Sequence, residues 1–167
     1  MIRSFGGKTP RIAESAYVSE AAYVIGDVEI GEGSGVFPGA VIRGDFASIK
    51  IGNNTMVEDN SVIHSGVPVE IGDNVTIGHS VVVHCVRIGN NNLIGNNATL
   101  LDNAEIGSHC IIAAGCLVSQ GMKVPDYSMV VGIPGKIRDV GDRMKRRVQD
   151  GPSAYSELVK RYKQEEF

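Results

Sequence analysis

Residues 88–107 read IGNNNLIGNNATLLDNAEIG, a stretch in which an aliphatic residue returns at every sixth position. The same spacing continues toward both ends of the chain, with three irregular steps of nine, eight and five residues. All twenty of these anchor positions are Val, Ile or Leu, a regularity that chance does not produce. The anchors are Ile12, Val18, Val24, Ile30, Val36, Ile42, Ile51, Val57, Ile63, Ile71, Ile77, Val83, Ile88, Ile94, Leu100, Ile106, Ile112, Val118, Val124 and Val130.

The hexads predict short strands joined by tight corners. Glycine follows many anchors, often with asparagine after it, and both residue types tolerate the left-handed backbone that a tight corner needs. The fourth position after an anchor is often Ala, Ser, Thr or Cys, small enough to face inward. Three hexads would close one triangular coil, and coils would stack in parallel at about the 4.8 Å strand spacing. We therefore expect an all-β parallel β-helix of about seven coils over residues 12–135.

The hexad pattern stops near residue 138, and the rest of the chain reads as helical. The segments VGDRMKRRVQ and PSAYSELVKRYKQEEF have helical character and are separated by Asp150-Gly151-Pro152. The basic cluster Arg143–Arg147 in the first segment fits a solvated helix face better than a binding patch. We thus predict a β-helix domain over residues 1–138 and a helical extension over 139–167. In the second segment an apolar stripe at helical spacing predicts packing along the outside of the β-helix: Tyr155, Leu158, Val159 and Tyr162.

Composition and charge argue against several classes of partner. The chain has 167 residues and a formal net charge of -3, which gives no reason to expect nucleic acid or a membrane surface as partner. Its three cysteines are too few for a disulfide framework. The N-terminal segment holds no apolar stretch long enough for a signal peptide or a membrane span. We expect a soluble cytoplasmic protein.

The irregular hexads bring two histidines together. They begin at Ile42, Ile63 and Val83, three hexads apart, so they should stack on one edge of the triangle in successive coils. The residues that follow these anchors are Arg43, His64 and His84, and neighbours of inward anchors point outward. We therefore expect His64 and His84 to be stacked, where two imidazoles can converge on one metal ion.

His79 has a different place in the repeat. It follows Ile77 on the preceding face, and five residues of extended chain separate its backbone from that of His84 by about 16 Å. The three histidines can share a metal only if a second copy packs against the His64/His84 edge, as a threefold trimer would allow. The alternative is that these are ordinary surface histidines, which we expect for His109 in the corner IGSH.

The stretch VIRGDFASIKIGNN, followed by VEDNSVIHSG and IGHSVVVHC, resembles the gamma-class carbonic anhydrases of the hexapeptide-repeat family. The resemblance implies a left-handed β-helix and a homotrimer, with Zn²⁺ or Fe²⁺ bound at each subunit interface by His64, His79 and His84. It also implies reversible hydration of CO₂ to bicarbonate by a metal-bound hydroxide, since His₃ ligation of a divalent metal lowers the pKa of bound water toward about 7.

The resemblance assigns roles to four further residues. Arg43 and Asp45 would belong to a polar network beside the metal, and Arg43 could hold bicarbonate; a structural salt bridge between subunits is the plainer interpretation. Asp59 could orient Arg43 or a ligand imidazole, or be an ordinary corner residue. Tyr155 resembles a tyrosine that short-loop relatives bring near the site from the C-terminal helix, and its alternative is helix packing.

Two departures from the family pattern argue against fast turnover. Glu58 stands where the family usually places a glutamine that hydrogen-bonds the metal-bound hydroxide, and Met56 replaces the usual asparagine. A carboxylate at this place adds negative charge, which should raise the pKa of the bound water, although it could also accept a proton. The loop SGVPVE after His64 is short and lacks the acidic proton shuttle of the best-known members.

Two other functions remain open. A hexapeptide acyltransferase that uses acyl-CoA shares the predicted fold and often the ending VPDYSMVVGIPGK, but three histidines at ligand spacing argue against it. A non-catalytic metal-binding or assembly protein would explain Glu58 and the short loop. Among the cysteines, Cys85 could be a soft extra ligand but is better explained as inert, and Cys110 and Cys116 are expected in the core.

Overall fold

The computed structural model describes residues 1–140 and 157–165, which form a parallel β-helix with one helix outside it. The described strands are β1 (Ile2–Arg3), β2 (Arg11–Ile12), β3 (Tyr17–Val18), β4 (Tyr23–Ile30), β5 (Gly35–Val36), β6 (Val41–Ile51), β7 (Met56–Val57), β8 (Val62–His64), β9 (Val69–Ile71), β10 (Thr76–Ile77), β11 (Val82–Val83), β12 (Arg87–Ile88), β13 (Leu93–Ile94), β14 (Thr99–Leu100), β15 (Glu105–Ile106), β16 (Ile111–Ile112), β17 (Leu117–Val118), β18 (Lys123–Val124), β19 (Ser128–Val131) and β20 (Lys136–Asp139). Helix α1 covers residues 157–164. Across the described residues, no helix is both long and apolar enough to cross a membrane.

Anchors pair with anchors from coil to coil, which confirms the predicted left-handed β-helix of about seven coils. On one face, Ile63 lies between Ile42 and Val83 in parallel register. We call the faces that begin with Ile12, Val18 and Val24 face 1, face 2 and face 3. Strands β4 and β6 continue around a corner from face 3 to face 1, so these two faces form one 12-stranded sheet, while face 2 is an 8-stranded sheet.

The anchors and the small residues fill the interior as predicted. From Val24 to Val130 every anchor is at most 3% exposed, whereas Ile12 and Val18 in the first coil are partly exposed. Cys85, Cys110 and Cys116 are all buried in this core. Burial raises the pKa of the Cys85 thiol to about 12, so it stays protonated and is a poor candidate for a metal ligand.

The corners between face 1 and face 2 are held by a ladder of side-chain hydrogen bonds. In each step, a corner amide donates to the side-chain oxygen at the equivalent position of the next coil. The amide of Asn53 donates to Asp73 at 2.7 Å, that of Asp73 to Asn90 at 2.8 Å, and that of Asn90 to Ser108 at 3.0 Å. Gly72 is required here, because a Cβ atom would lie 2.2 Å from Oδ1 of Asn90. These contacts explain why Gly, Asn and Asp recur after the anchors.

The first coils of face 2 are covered by α1. Val159 of α1 is buried against Tyr17, Phe37 and Met56, with Leu158 and Tyr162 packed beside it. The predicted apolar stripe therefore packs as expected for three of its four residues. The fourth, Tyr155, lies outside the described residues, as do the basic cluster and all of the first predicted helical segment except Val140.

An antiparallel strand that the hexad pattern did not predict closes the last coil. The chain reverses after β19, and β20 pairs with β19 from Ser128↔Asp139 to Val131↔Lys136. Gly132, with φ of 91°, lies at this reversal, where a left-handed backbone is needed. Strand β20 ends at Asp139, one residue past the predicted domain boundary.

Faces 1 and 3 differ sharply in chemistry. The outward residues of face 1 alternate in charge from coil to coil and form what we call the charge ladder: Arg11, Glu29, Lys50, Glu70, Arg87, Glu105 and Lys123. The equivalent residues of face 3 are apolar except for one threonine and form what we call the apolar strip: Tyr23, Val41, Val62, Val82, Thr99 and Leu117. Among the described residues, α1 packs on face 2, and the apolar strip of face 3 stays partly exposed.

Candidate metal centre

Two stacked histidines occupy the trailing edge of face 3. His64 ends β8 and His84 directly follows β11, whose Val83 pairs with Ile63. Their ring centroids are 5.5 Å apart and their planes are inclined by 55°. The adjacency expected from the hexad count is therefore present within a single chain.

Each of the two imidazole rings has a carboxylate beside one of its nitrogens. Nε2 of His64 lies 3.1 Å from Oδ1 of Asp45, and Nδ1 of His84 lies 3.1 Å from Oδ1 of Asp102. A carboxylate that accepts a proton from one ring nitrogen sets the tautomer and leaves the other nitrogen as a lone-pair donor. This pairing is typical of histidines that bind metals, and it fits a divalent cation at this edge.

Asp45 also joins the RGD segment to the site. Its second oxygen lies 2.8 Å from Nη1 of Arg43, so one carboxylate bridges the guanidinium and the imidazole of His64. The ion pair forms within one chain and does not require a neighbouring subunit. Arg43 remains 42% exposed at its side chain, which leaves part of its guanidinium open to an anion.

His79 lies at the corner before face 3, on the opposite edge from His64 and His84. Its Nε2 is 2.9 Å from Oε2 of Glu58 and its Nδ1 is 3.0 Å from Oδ2 of Asp59, so carboxylates meet both nitrogens. Asp59 thus contacts an imidazole, one of the two roles the resemblance allowed. A metal ion at either nitrogen would have to displace one carboxylate.

Glu58 points outward from the coil, as expected for the residue after an anchor, and is nevertheless buried. It is 4% exposed, and its Oε1 has no hydrogen-bond partner among residues 1–140 and 157–165, while Oε2 contacts His79. A cavity of about 160 Å³ opens beside it between the β-helix and α1, lined by Phe37, Glu58, Asp59, His79, Leu158 and Tyr162. Met56 lies under α1 in the apolar cluster.

A single chain holds the two halves of the site apart. Within residues 1–140 and 157–165, no group of three His, Cys, Asp or Glu side chains is placed to hold a metal ion. Three imidazoles do match the donor set of a catalytic zinc site, which keeps a further position for water or substrate. The residues therefore fit a divalent metal if the His64/His84 edge of one chain meets the His79 edge of another.

Sequence reasoning missed two residues beside the stacked pair. Asp102 follows Leu100, the anchor one coil above Val83, so its place over His84 was readable from the repeat. Phe46 follows the RGD segment, is 78% exposed, and lies edge-on to His64 with ring centroids 5.8 Å apart. An aromatic side chain in an irregular hexad gave no signal of which residue it would contact.

Comparison with solved structures identifies close relatives over the whole chain. A hexapeptide transferase family protein from Anaplasma phagocytophilum is 32% identical, with a TM-score of 0.93, over 96% of this chain and 97% of that one. A Bacillus cereus protein, whose acetyltransferase assignment is provisional, is 36% identical, with a TM-score of 0.94, over 98% and 96%. The bacterial transferase hexapeptide family model (six repeats) matches residues 85–120.

Comparison with curated proteins supports the resemblance to carbonic anhydrases. A carbonic anhydrase from Geobacillus kaustophilus is 45% identical over 64 residues, which are 38% of this chain and 35% of that protein. Gamma carbonic anhydrase 1, mitochondrial, from Arabidopsis thaliana is 44% identical over 57 residues, 34% of this chain and 21% of that protein. The matched stretches thus span about a third or less of these relatives.

Proposed function

The chain belongs to the hexapeptide-repeat family, and from this membership we propose a homotrimer that hydrates CO₂ reversibly to bicarbonate at Zn²⁺ or Fe²⁺ ions shared between subunits. The observation that carries the proposal is the stacked pair His64 and His84, each with a carboxylate on one nitrogen. His79 would complete the donor set from the neighbouring subunit. Relatives named carbonic anhydrase support the reaction.

The surface chemistry favours assembly through face 3. Face 1 carries the charge ladder and α1 packs on the first coils of face 2, whereas the apolar strip of face 3 stays partly exposed, with Val82 at 38%. Contiguous exposed apolar surface is typical of interaction sites. Because the histidines flank this face on both edges, three chains that turn face 3 inward would bring unlike edges together at every interface.

At such an interface, different residues of the chain would bind the metal, orient its ligands and hold bicarbonate. His64, His79 and His84 would hold the metal, which supplies a Lewis acid able to ionise water near neutral pH. Asp45 and Asp59 would orient His64 and His79 through the contacts described above. Arg43 would hold bicarbonate through its partly exposed guanidinium, which can donate two parallel hydrogen bonds to a carboxylate.

CO₂ hydration by separately zinc-loaded and iron-loaded protein tests the proposal. In stopped-flow assays, we expect at least one loaded sample to exceed metal-free protein, and His64→Ala to match the metal-free rate. Because Glu58 stands in place of the family's glutamine and the loop after His64 is short, we expect slow turnover. If neither loaded sample exceeds metal-free protein, the proposed reaction is wrong.

The names of the full-length structural neighbours favour one second candidate, acyl transfer from acyl-CoA. In that case one histidine would serve as a general base, and no metal would be needed. Elemental analysis of purified protein separates the two candidates. A near-stoichiometric transition metal supports the hydration site, whereas metal-free protein that acetylates an acceptor from acetyl-CoA supports the transferase.

Glu58→Gln is expected to tighten metal binding about fivefold. The carboxylate of Glu58 competes for Nε2 of His79, and a hydrogen bond to a charged group is stronger than one to a neutral amide by about 1 kcal/mol. Asp59 remains in the variant to orient the ring through Nδ1. The affinity is measured by competition with a chromophoric chelator.

Glu105→Gln is the matched control, because Glu105 carries the same charge on face 1 and pairs with Lys123. Its metal affinity should equal that of the unsubstituted protein. An unchanged or weaker affinity in Glu58→Gln would show that Glu58 does not compete with the metal.

A further inference from the structure

We propose that Asp102 is a positioning residue that holds the imidazole of His84 through Nδ1, so that Nε2 faces the metal. The inference rests on the proposed function and adds to it the group that sets the tautomer of one ligand. The observation that supports this positioning role is the 3.1 Å contact between Oδ1 of Asp102 and Nδ1 of His84.

The backbone around Asp102 fixes its position relative to His84. The amide of His84 donates to the carbonyl of Leu100 at 2.9 Å, which ties the histidine to the coil that carries Asp102. The carbonyl of Asp102 accepts the amide of Gly121 from the following coil at 2.8 Å. The backbone that carries Asp102 is therefore held beside that of His84, so little backbone freedom remains to be lost when the side-chain contact forms.

Asp102 differs from Asp45 in the number of side chains that its carboxylate contacts. Asp45 shares its carboxylate between His64 and Arg43, so its removal would disturb two groups. For Asp102, His84 is the one side-chain partner among residues 1–140 and 157–165. An effect of substituting Asp102 can therefore be traced to His84.

The contact contributes little to folding. The side chain of Asp102 is 55% exposed and that of His84 is 32% exposed, and exposed ion pairs contribute about 0–1 kcal/mol. Outer-sphere partners of metal-binding histidines, by contrast, typically change metal affinity about 10–100-fold. A weaker metal affinity in an Asp102 variant would therefore reflect the orientation of His84 and not a loss of stability.

Metal affinity in a series of variants tests the proposal. With zinc and a chelator competitor, Asp102→Ala is expected to bind about 10–100-fold more weakly than unsubstituted protein. Asp102→Asn should lie between them because its amide oxygen still accepts a hydrogen bond, and Asp102→Glu should recover part of the loss. Asp139→Asn is the control, since it removes the same charge from an exposed residue of β20.

A second readout needs no metal. In metal-free protein, ¹⁵N chemical shifts should show His84 mainly as the Nδ1–H tautomer, and Asp102→Ala should shift it toward the Nε2–H form. Equal affinity and an unchanged tautomer in Asp102→Ala would overturn the inference. So would a loss of thermal stability large enough to account for the weaker binding.

The same measurements separate this inference from the function on which it rests. If unsubstituted protein and His64→Ala bind zinc equally, the shared metal site is wrong, and with it the metal-orienting role of Asp102. If unsubstituted protein binds zinc and His64→Ala does not, the site stands, and Asp102→Ala then decides the positioning role.

Discussion

Trimers that contain both His64→Ala and His79→Ala chains are expected to bind about one metal ion each, although neither variant alone binds any. Each proposed interface takes His64 and His84 from one chain and His79 from the next. A mixed ring of three, with either variant in the majority, has one interface at which both contributing edges are native. The two chains are co-expressed with different tags and purified through both, so that every trimer is mixed, and metal content is measured per trimer.

The loss in each single variant should exceed the roughly 10–100-fold effect of removing an outer-sphere partner, because a ligand itself is gone. His109→Ala is the matched control, since His109 stacks on Tyr127 away from the site, with ring centroids 4.7 Å apart. It should keep the metal content of the unsubstituted protein. Mixed trimers without metal would show that the three histidines do not meet across an interface.

Ile77→Ala is expected to lower the free energy of unfolding by about 2–5 kcal/mol. Ile77 is 0% exposed and pairs with Val57 and Ile94 in the coils below and above, so truncation leaves a cavity that the stacked coils cannot close. Chemical denaturation at one fixed protein concentration measures the change, because the apparent stability of an oligomer depends on concentration.

Ile137→Ala is the comparison for this prediction. Ile137 is 44% exposed on β20, and an exposed substitution usually changes stability by less than about 0.5 kcal/mol. Similar losses in the two variants would mean that the anchors do not carry the stability of the β-helix. A large loss in Ile77→Ala alone would support the central role of the anchors.

The repeat predicted most of the fold because a narrow coil imposes the same demand at every turn. Each anchor must be aliphatic and each corner must accept a left-handed backbone. The aliphatic anchor therefore recurs twenty times in the sequence. The stacking of His84 over His64 followed from counting hexads alone. Strand β20 was missed because it leaves the hexad period and reverses direction.

The details of the candidate site were harder to predict because they depend on side-chain direction at irregular hexads. Glu58 points outward from the coil, as its place after an anchor predicts, but the pattern did not reveal that α1 packs over its face and buries it. Both nitrogens of His79 meet carboxylates, which spacing does not reveal because it gives positions and not rotamers. The place of Asp102 beside His84 follows from the repeat, because Leu100 pairs with Val83 in the coil above it.

The alternating charges of face 1 bear on how the chain finds its correct stacking. Every anchor is a similar aliphatic residue, so the interior alone would accept a polypeptide that leaves out one turn and stacks the next in its place. Such an omission would set Glu29 against Glu70, or Lys50 against Arg87, and like charges directly opposite each other are destabilising. The alternating charges on the solvent-facing side thus favour the correct order of the turns, which the uniform aliphatic interior does not distinguish.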